Sequence, residues 1–259
     1  MPNFVDIAWD GRAAHIECVR IDGPNTAPLL VFLHEGLGSV AMWKDFPQRL
    51  CAALGLRGLV YSRPGYGRST ARPLDEPLAP DFMHRQAHEV LPALLQALHI
   101  HEPVLLLGHS DGGSIALLHA ARFSRAVRGV VVMAPHILVE DVSITSIAAA
   151  RQAWATSDLP KKLARYHDDA ESAFRGWNDV WLSPEFRGWD IRAELSTISC
   201  PLLAIQGLDD EYGTLDQIRG IAQAVSQTQL LELPACGHSP HRDQPEAVIE
   251  AVGSFLKLL

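Results

Sequence analysis

The sequence predicts an α/β fold: a doubly wound, mostly parallel sheet with helices on both faces and a helical insertion. Two features of the 259-residue chain point there. Short apolar runs alternate with longer amphipathic segments, the pattern of a sheet covered on both faces by helices. The length also fits one α/β domain, which buries about three quarters of its unfolded surface.

The elements follow in order. Residues 3–8 and 13–21 read as a hairpin around Asp10-Gly11, a dipeptide suited to a two-residue turn. Strands are expected at 29–34 (LLVFLH), 58–62 (GLVYS), 103–108 (PVLLLG), 127–134 (VRGVVVMA), 201–206 (PLLAIQ) and 228–233 (TQLLEL). Helices are expected at 40–55, 82–99, 111–123, 215–226 and 244–257, and the Pro-rich stretch 73–80 reads as a surface loop. The alternation breaks at 137–195, where helix-compatible runs carry Trp154, Tyr166, Phe174, Trp177, Trp181, Phe186 and Trp189 but no buried strand. Those aromatics serve either a lid over a pocket or the insertion's own packing. The expected organisation is a core of residues 1–136 and 196–259 interrupted by a helical insertion at 137–195.

Composition narrows the function. The chain is 47% hydrophobic and 20% charged, ordinary for a globular protein. A net charge of −8 with dispersed acidic residues lacks the basic footprint of a nucleic-acid partner. No apolar run approaches the roughly 17–25 residues needed to span a bilayer, so no membrane association is expected. Asp6 and Asp10 stand where an export signal would be basic and then apolar. Cys18, Cys51, Cys200 and Cys236 are scattered without a CxxC pair, which fits free thiols in the cytoplasm.

The sharpest chemical signal is Gly108-His109-Ser110-Asp111-Gly112, between the strand VLLL and the helix-like SIALLHAA. A G-x-S-x-G at a strand-to-helix turn lifts the serine hydroxyl clear of the sheet, and the flanking glycines keep Cβ atoms out of its way. A serine is a weak nucleophile at neutral pH and needs a base, itself oriented by a third group. Two later strands end in Gly207-Leu208-Asp209-Asp210-Glu211 and in Pro234-Ala235-Cys236-Gly237-His238, at the sheet edge where α/β folds place their sites. His238 is the candidate base. Asp209, Asp210 and Glu211 compete as its acid.

The ordered motifs LLVFLHEGLGS, YSRPGYGRS, GHSDGG, GLDD and PACGHSPHRDQP resemble the α/β-hydrolase superfamily over the whole chain apart from 137–195. The resemblance implies Ser110 as nucleophile, His238 as base and Asp210, three residues past the strand-ending glycine, as acid. It implies an oxyanion hole from the amides of Glu35 and Asp111, and a helical cap at 137–195. His34, His136, Trp177 and Trp181 are candidate pocket residues. The implied activity is hydrolysis of an ester, thioester or related acyl bond of a small molecule, with no cofactor. Members of this superfamily also cleave carbon–carbon bonds of vinylogous diketones, and others only bind ligands.

Three other patterns weigh less. Gly36-Leu37-Gly38-Ser39-Val40-Ala41 imitates a dinucleotide fingerprint, but the same segment serves as the oxyanion loop. His84 and His88 have the spacing of two metal ligands without a third, so no metal is expected and a solvated helix face is the reading. Arg63 and Arg68 are expected in exposed salt bridges.

Overall fold

The computed structural model describes residues 3–259. Strands β1 (Asn3–Trp9) and β2 (Arg12–Ile21) form the N-terminal hairpin, with Asp10 and Gly11 both at positive φ, 54° and 69°. That pair of dihedrals belongs to the turn whose twist matches its strands, which is why Asp-Gly occupies it. Strands β3 (Leu29–Leu33), β4 (Arg57–Tyr61), β5 (Val104–His109), β6 (Val127–Met133), β7 (Leu202–Gly207) and β8 (Thr228–Leu233) complete one sheet in the order β1-β2-β4-β3-β5-β6-β7-β8. β1, β2 and β4 pair antiparallel; every pairing from β4 to β8 is parallel.

Both faces are covered. Along β5, Val104 and Leu106 pack with Leu91, Leu94, Ile115 and Ile218 on one side, while Leu105 and Leu107 pack with Leu50, Val248, Val252 and Phe255 on the other. The strand reads as continuously apolar because alternate side chains enter two different cores. Truncating Leu106 or Leu107 to alanine would cost about 2–5 kcal/mol each, since both side chains are fully buried.

Helices sit near their expected places, with breaks that prolines explain. The segment expected as one helix at 40–55 is a 3₁₀ turn at Val40–Trp43 followed by α1 (Phe46–Leu54), separated at Lys44, whose φ is 56°. Pro47 lacks the N–H an interior position needs, so it starts a helix instead of continuing one. The helix expected at 82–99 is α2 (Phe82–Arg85), a π turn at Gln86–Val90 and α3 (Leu91–Ala97). The widened turn precedes Pro92, whose ring crowds the carbonyl of His88. α4 (Asp111–Arg122) follows β5 directly. Between β6 and β7 lie α5 (Asp141–Thr156), α6 (Leu159–Leu163), α7 (Ala170–Trp181) and α8 (Arg192–Leu195). α9 (Asp216–Ala224), α10 (Pro240–Asp243) and α11 (Pro245–Leu256) close the chain. Among the described residues no helix is long and apolar enough to cross a membrane.

Candidate active site

Ser110 stands between β5 and α4 at φ 52° and ψ −121°, a conformation outside the regions open to ordinary L residues. The turn is tight enough that a Cβ on Gly108 would strike the backbone of Gly112, and one on Gly112 would strike the carbonyls of Leu33 and His34. Both flanking glycines are thus required by backbone contact, and the serine hydroxyl projects from the carboxyl edge of the sheet.

Two loops from the same edge meet it. Ser110 Oγ donates to His238 Nε2 at 3.0 Å, and His238 Nδ1 donates to Asp210 Oδ1 at 2.8 Å. Asp210 also accepts from the amides of Tyr212 and Gly213 and from Gln206 Nε2. Burial would raise its pKa, but the hydrogen bond and charge of His238 and the Tyr212 amide outweigh that and leave it below the ordinary carboxylate value. Asp209 and Glu211 are exposed and do not meet the imidazole ring. Glu211 instead accepts from the backbone amide of His238.

Glu35 and Asp111 both line a cavity of about 120 Å³ in front of Ser110. The carboxylate of Asp111 is fully buried: Trp181 Nε1 donates to Oδ1 at 3.2 Å, and Arg63 Nη1 lies 3.8 Å from Oδ2. Burial, only partly offset by Arg63 and Trp181, pushes its pKa up to about 6. The Glu35 carboxylate is partly exposed, with Oε2 3.4 Å from His109 Nδ1. The two groups are in contact at that distance without an aligned hydrogen bond. Burial raises the pKa of Glu35, but His109, then His241 and His34, more than reverse this and hold it far below the usual value. His109 Nε2 in turn donates to the carbonyl of His238 at 2.7 Å.

Of the four expected pocket residues, His136, Trp177 and Trp181 line the cavity and His34 does not. His34 is fully buried below the loop. Its Nε2 accepts from the Arg63 amide at 3.0 Å, so Nδ1 carries the proton and donates to the Glu35 carbonyl at 2.7 Å. Arg63 is the larger departure. Far from an exposed salt bridge, it is fully buried and donates to the Glu35 carbonyl at 2.8 Å, tying the loop after β4 to the loop after β3. A buried arginine is uncommon enough that sequence gives no warning of one. Arg68 is exposed but makes none of the salt bridges expected of it among the described residues; its backbone amide donates to Glu17. His84 and His88 are half-buried rather than solvated, His84 beside Glu194 at 3.3 Å and His88 against the ring of Phe123. In the glycine loop, a Cβ on Gly36 would strike Trp177 and one on Gly38 would strike Glu35, so both glycines serve close packing.

Residues 137–195 reach the loops after β3, β4 and β7. His167 Nδ1 accepts from Gly67 N and Nε2 donates to the Leu37 carbonyl, both at 2.9 Å. Ser143 and Ser146 of α5 donate to the carbonyls of Tyr212 and Glu211. Ile147, His109, Leu37 and Tyr212 complete the cavity wall; none was singled out in the sequence, where each looks like an ordinary core or loop residue.

A mostly parallel sheet with its polar cluster outside the carboxyl ends of the strands defines a class, the open α/β proteins that bind ligand at that edge. Within it, the chain belongs to the alpha/beta hydrolase family, whose model matches residues 30–251. It is 27% identical over 270 residues to the sn-1-specific diacylglycerol lipase ABHD11 of Mus musculus, covering 91% of this chain and 83% of that protein. Solved structures with the same fold include an enol-lactonase from Burkholderia xenovorans LB400 (24% identity, TM-score 0.74, 97% and 99% of the two chains). Another is a thermophilic esterase from Thermogutta terrifontis (19% identity, TM-score 0.75, 99% and 98%).

Proposed function

We propose that the protein is a serine hydrolase that cleaves an ester, thioester or related acyl bond of a small molecule through Ser110, His238 and Asp210. The carrying observation is the unbroken chain from Ser110 Oγ through His238 to Asp210, at 3.0 and 2.8 Å. His238 takes the hydroxyl proton as Ser110 Oγ attacks the substrate carbonyl, and Asp210 holds the ring with Nδ1 protonated so that Nε2 is free to accept. The oxyanion rests on the amides of Glu35 and Asp111, which no protein acceptor takes up among the described residues. His238 then protonates the leaving group. A water, deprotonated by the same ring, releases the acyl group and restores the serine. The substrate, Ser110, His238 and water supply every atom that moves, so the reaction as proposed calls for no cofactor.

Residues 137–195 act in this reading as a cap, supported by the contacts of His167, Ser143, Ser146 and Trp181 with the catalytic loops. Similarity to proteins named as a lipase, an esterase and an enol-lactonase points to acyl chemistry. Four buried, unpaired cysteines support a reducing, cytoplasmic setting. The test is labelling with a fluorophosphonate probe, with Ser110→Ala as control. An adduct on Ser110 that vanishes in the variant is expected. A folded protein that stays unlabelled and turns over neither esters, thioesters nor a vinylogous diketone would refute the hydrolase reading.

A further inference from the structure

The cavity holds one polar ring that the proposed reaction does not use. His136, just past β6, lines the space in front of Ser110 and is 2% exposed. Its ring stands 5.9 Å from that of His238 and 4.9 Å from that of Trp181, centroid to centroid. Its backbone N–H and carbonyl are both satisfied by the Ser114 hydroxyl, which leaves the side chain free to serve the cavity. Nδ1 is buried without a partner, and the ring makes no hydrogen bond among the described residues. Burial, followed by the nearby charge of His238, holds its pKa at about 3, so the imidazole is neutral and offers one donor and one acceptor.

Nδ1 has no surface open to the cavity, so Nε2 is the ring atom left to pair with a ligand that enters the space lined also by Trp177, Trp181 and Ile147, and leaving it unpaired there is costly. We infer that His136 is a specificity-determining residue that hydrogen-bonds a neutral polar group of the substrate, a hydroxyl, keto or amide oxygen or nitrogen a few bonds from the scissile carbonyl. This rests on the hydrolase reading and deepens it. A compact acyl compound bearing such a group is the preferred substrate class, over a plain alkyl ester of the same size. Ser110 and His136 line the same cavity, so a substrate whose carbonyl reaches Ser110 has neighbouring atoms within reach of the His136 ring.

The experiment compares kcat/KM for matched esters in the wild type, His136→Leu and His136→Gln. One pair differs in the acyl part (p-nitrophenyl butyrate and p-nitrophenyl β-hydroxybutyrate), the other in the alcohol (propyl butyrate and hydroxyethyl butyrate). His136→Leu should lower the polar-to-alkyl ratio in at least one pair by about 10–100-fold, the worth of one buried hydrogen bond and the group it leaves unpaired. His136→Gln, which restores a donor and an acceptor, should recover most of the ratio. A ratio unchanged in both pairs would overturn the inference and make an ordered water the partner of the ring. Fluorophosphonate labelling of Ser110 is read in each variant. Intact labelling with an unchanged ratio removes only the role of His136, whereas an unlabelled, inactive wild type removes both readings.

Discussion

Two carboxylate–imidazole pairs lie side by side at the end of β5, with the rings of His109 and His238 5.2 Å apart. They are built the opposite way round. In Asp210–His238 the acid side chain is 1% exposed and the ring 12% exposed, whereas in Glu35–His109 the ring is 2% exposed and the acid 24%. The third partner also differs: His238 Nε2 receives the Ser110 hydroxyl, while His109 Nε2 gives its hydrogen to a carbonyl that can only accept. In the proposed reaction the same two functional groups therefore make a base in one place and a strut in the other. What the comparison teaches is that the environment of the imidazole Nε2 assigns the role, and the residue types do not.

The largest test of that contrast removes the acid from the first pair. Asp210→Asn should leave the fold intact and lower kcat by about 10⁴, because the amide favours the wrong tautomer of His238. Asp209→Asn should stay within a few-fold in the same steady-state assay. A loss in Asp209→Asn with a normal Asp210→Asn would move the acid one residue back.

The second pair should matter less. His109→Phe keeps the ring's volume beside Trp43 and His241 but removes the donor to the His238 carbonyl. A fall in kcat of about 10–100-fold is expected, the worth of one good hydrogen bond that holds the base in position. Glu35→Gln should cost less than tenfold, since its amide can donate to His109 Nδ1 and leave Nε2–H on the carbonyl. If Glu35→Gln were as damaging as Asp210→Asn, the second pair would be part of the chemistry.

Buried histidines without a carboxylate partner sharpen the contrast through stability. Burial is the first cause that holds His119 at about 4 and His136 and His241 at about 3. An unfolded histidine titrates near 6.5, so between pH 6.5 and about 4 the unfolded chain binds protons that the folded one refuses. Stability is full above that window and is lost as pH falls through it. Asp111 opposes this by one proton between about pH 4 and 6, because its folded pKa is raised. Urea unfolding between pH 7 and 5 should show a falling midpoint, with a shallower slope in His119→Asn, a site far from Ser110. A midpoint that rises on acidification would contradict the neutral assignments.

Much of the core was legible. Asp10-Gly11 fixed the hairpin, continuous apolar runs marked the central strands, and Gly108 and Gly112 marked a turn that tolerates no Cβ. These are local effects, written in a few adjacent residues. Asp210 was separable from Asp209 only through resemblance, since both are acidic neighbours in one loop and the difference between them is direction. Arg63, His34 and His109 were misread or passed over because their partners lie 28 to 129 positions away in the chain. Residues 137–195 were legible as helical, but which of their aromatics face the cavity depends on how those helices pack. Trp177 and Trp181 line the cavity, while Trp154 stacks on Phe174 and Trp189 on Phe186.

The most direct test of the central claim is to trap the acyl-enzyme. The protein is mixed with a small p-nitrophenyl ester, quenched in acid and digested, and the peptide containing Ser110 is weighed by mass spectrometry. The account predicts an acyl group on Ser110 in the wild type, absent from Ser110→Ala. Turnover of the ester with no acylated Ser110, or with Ser110→Ala fully active, would contradict it.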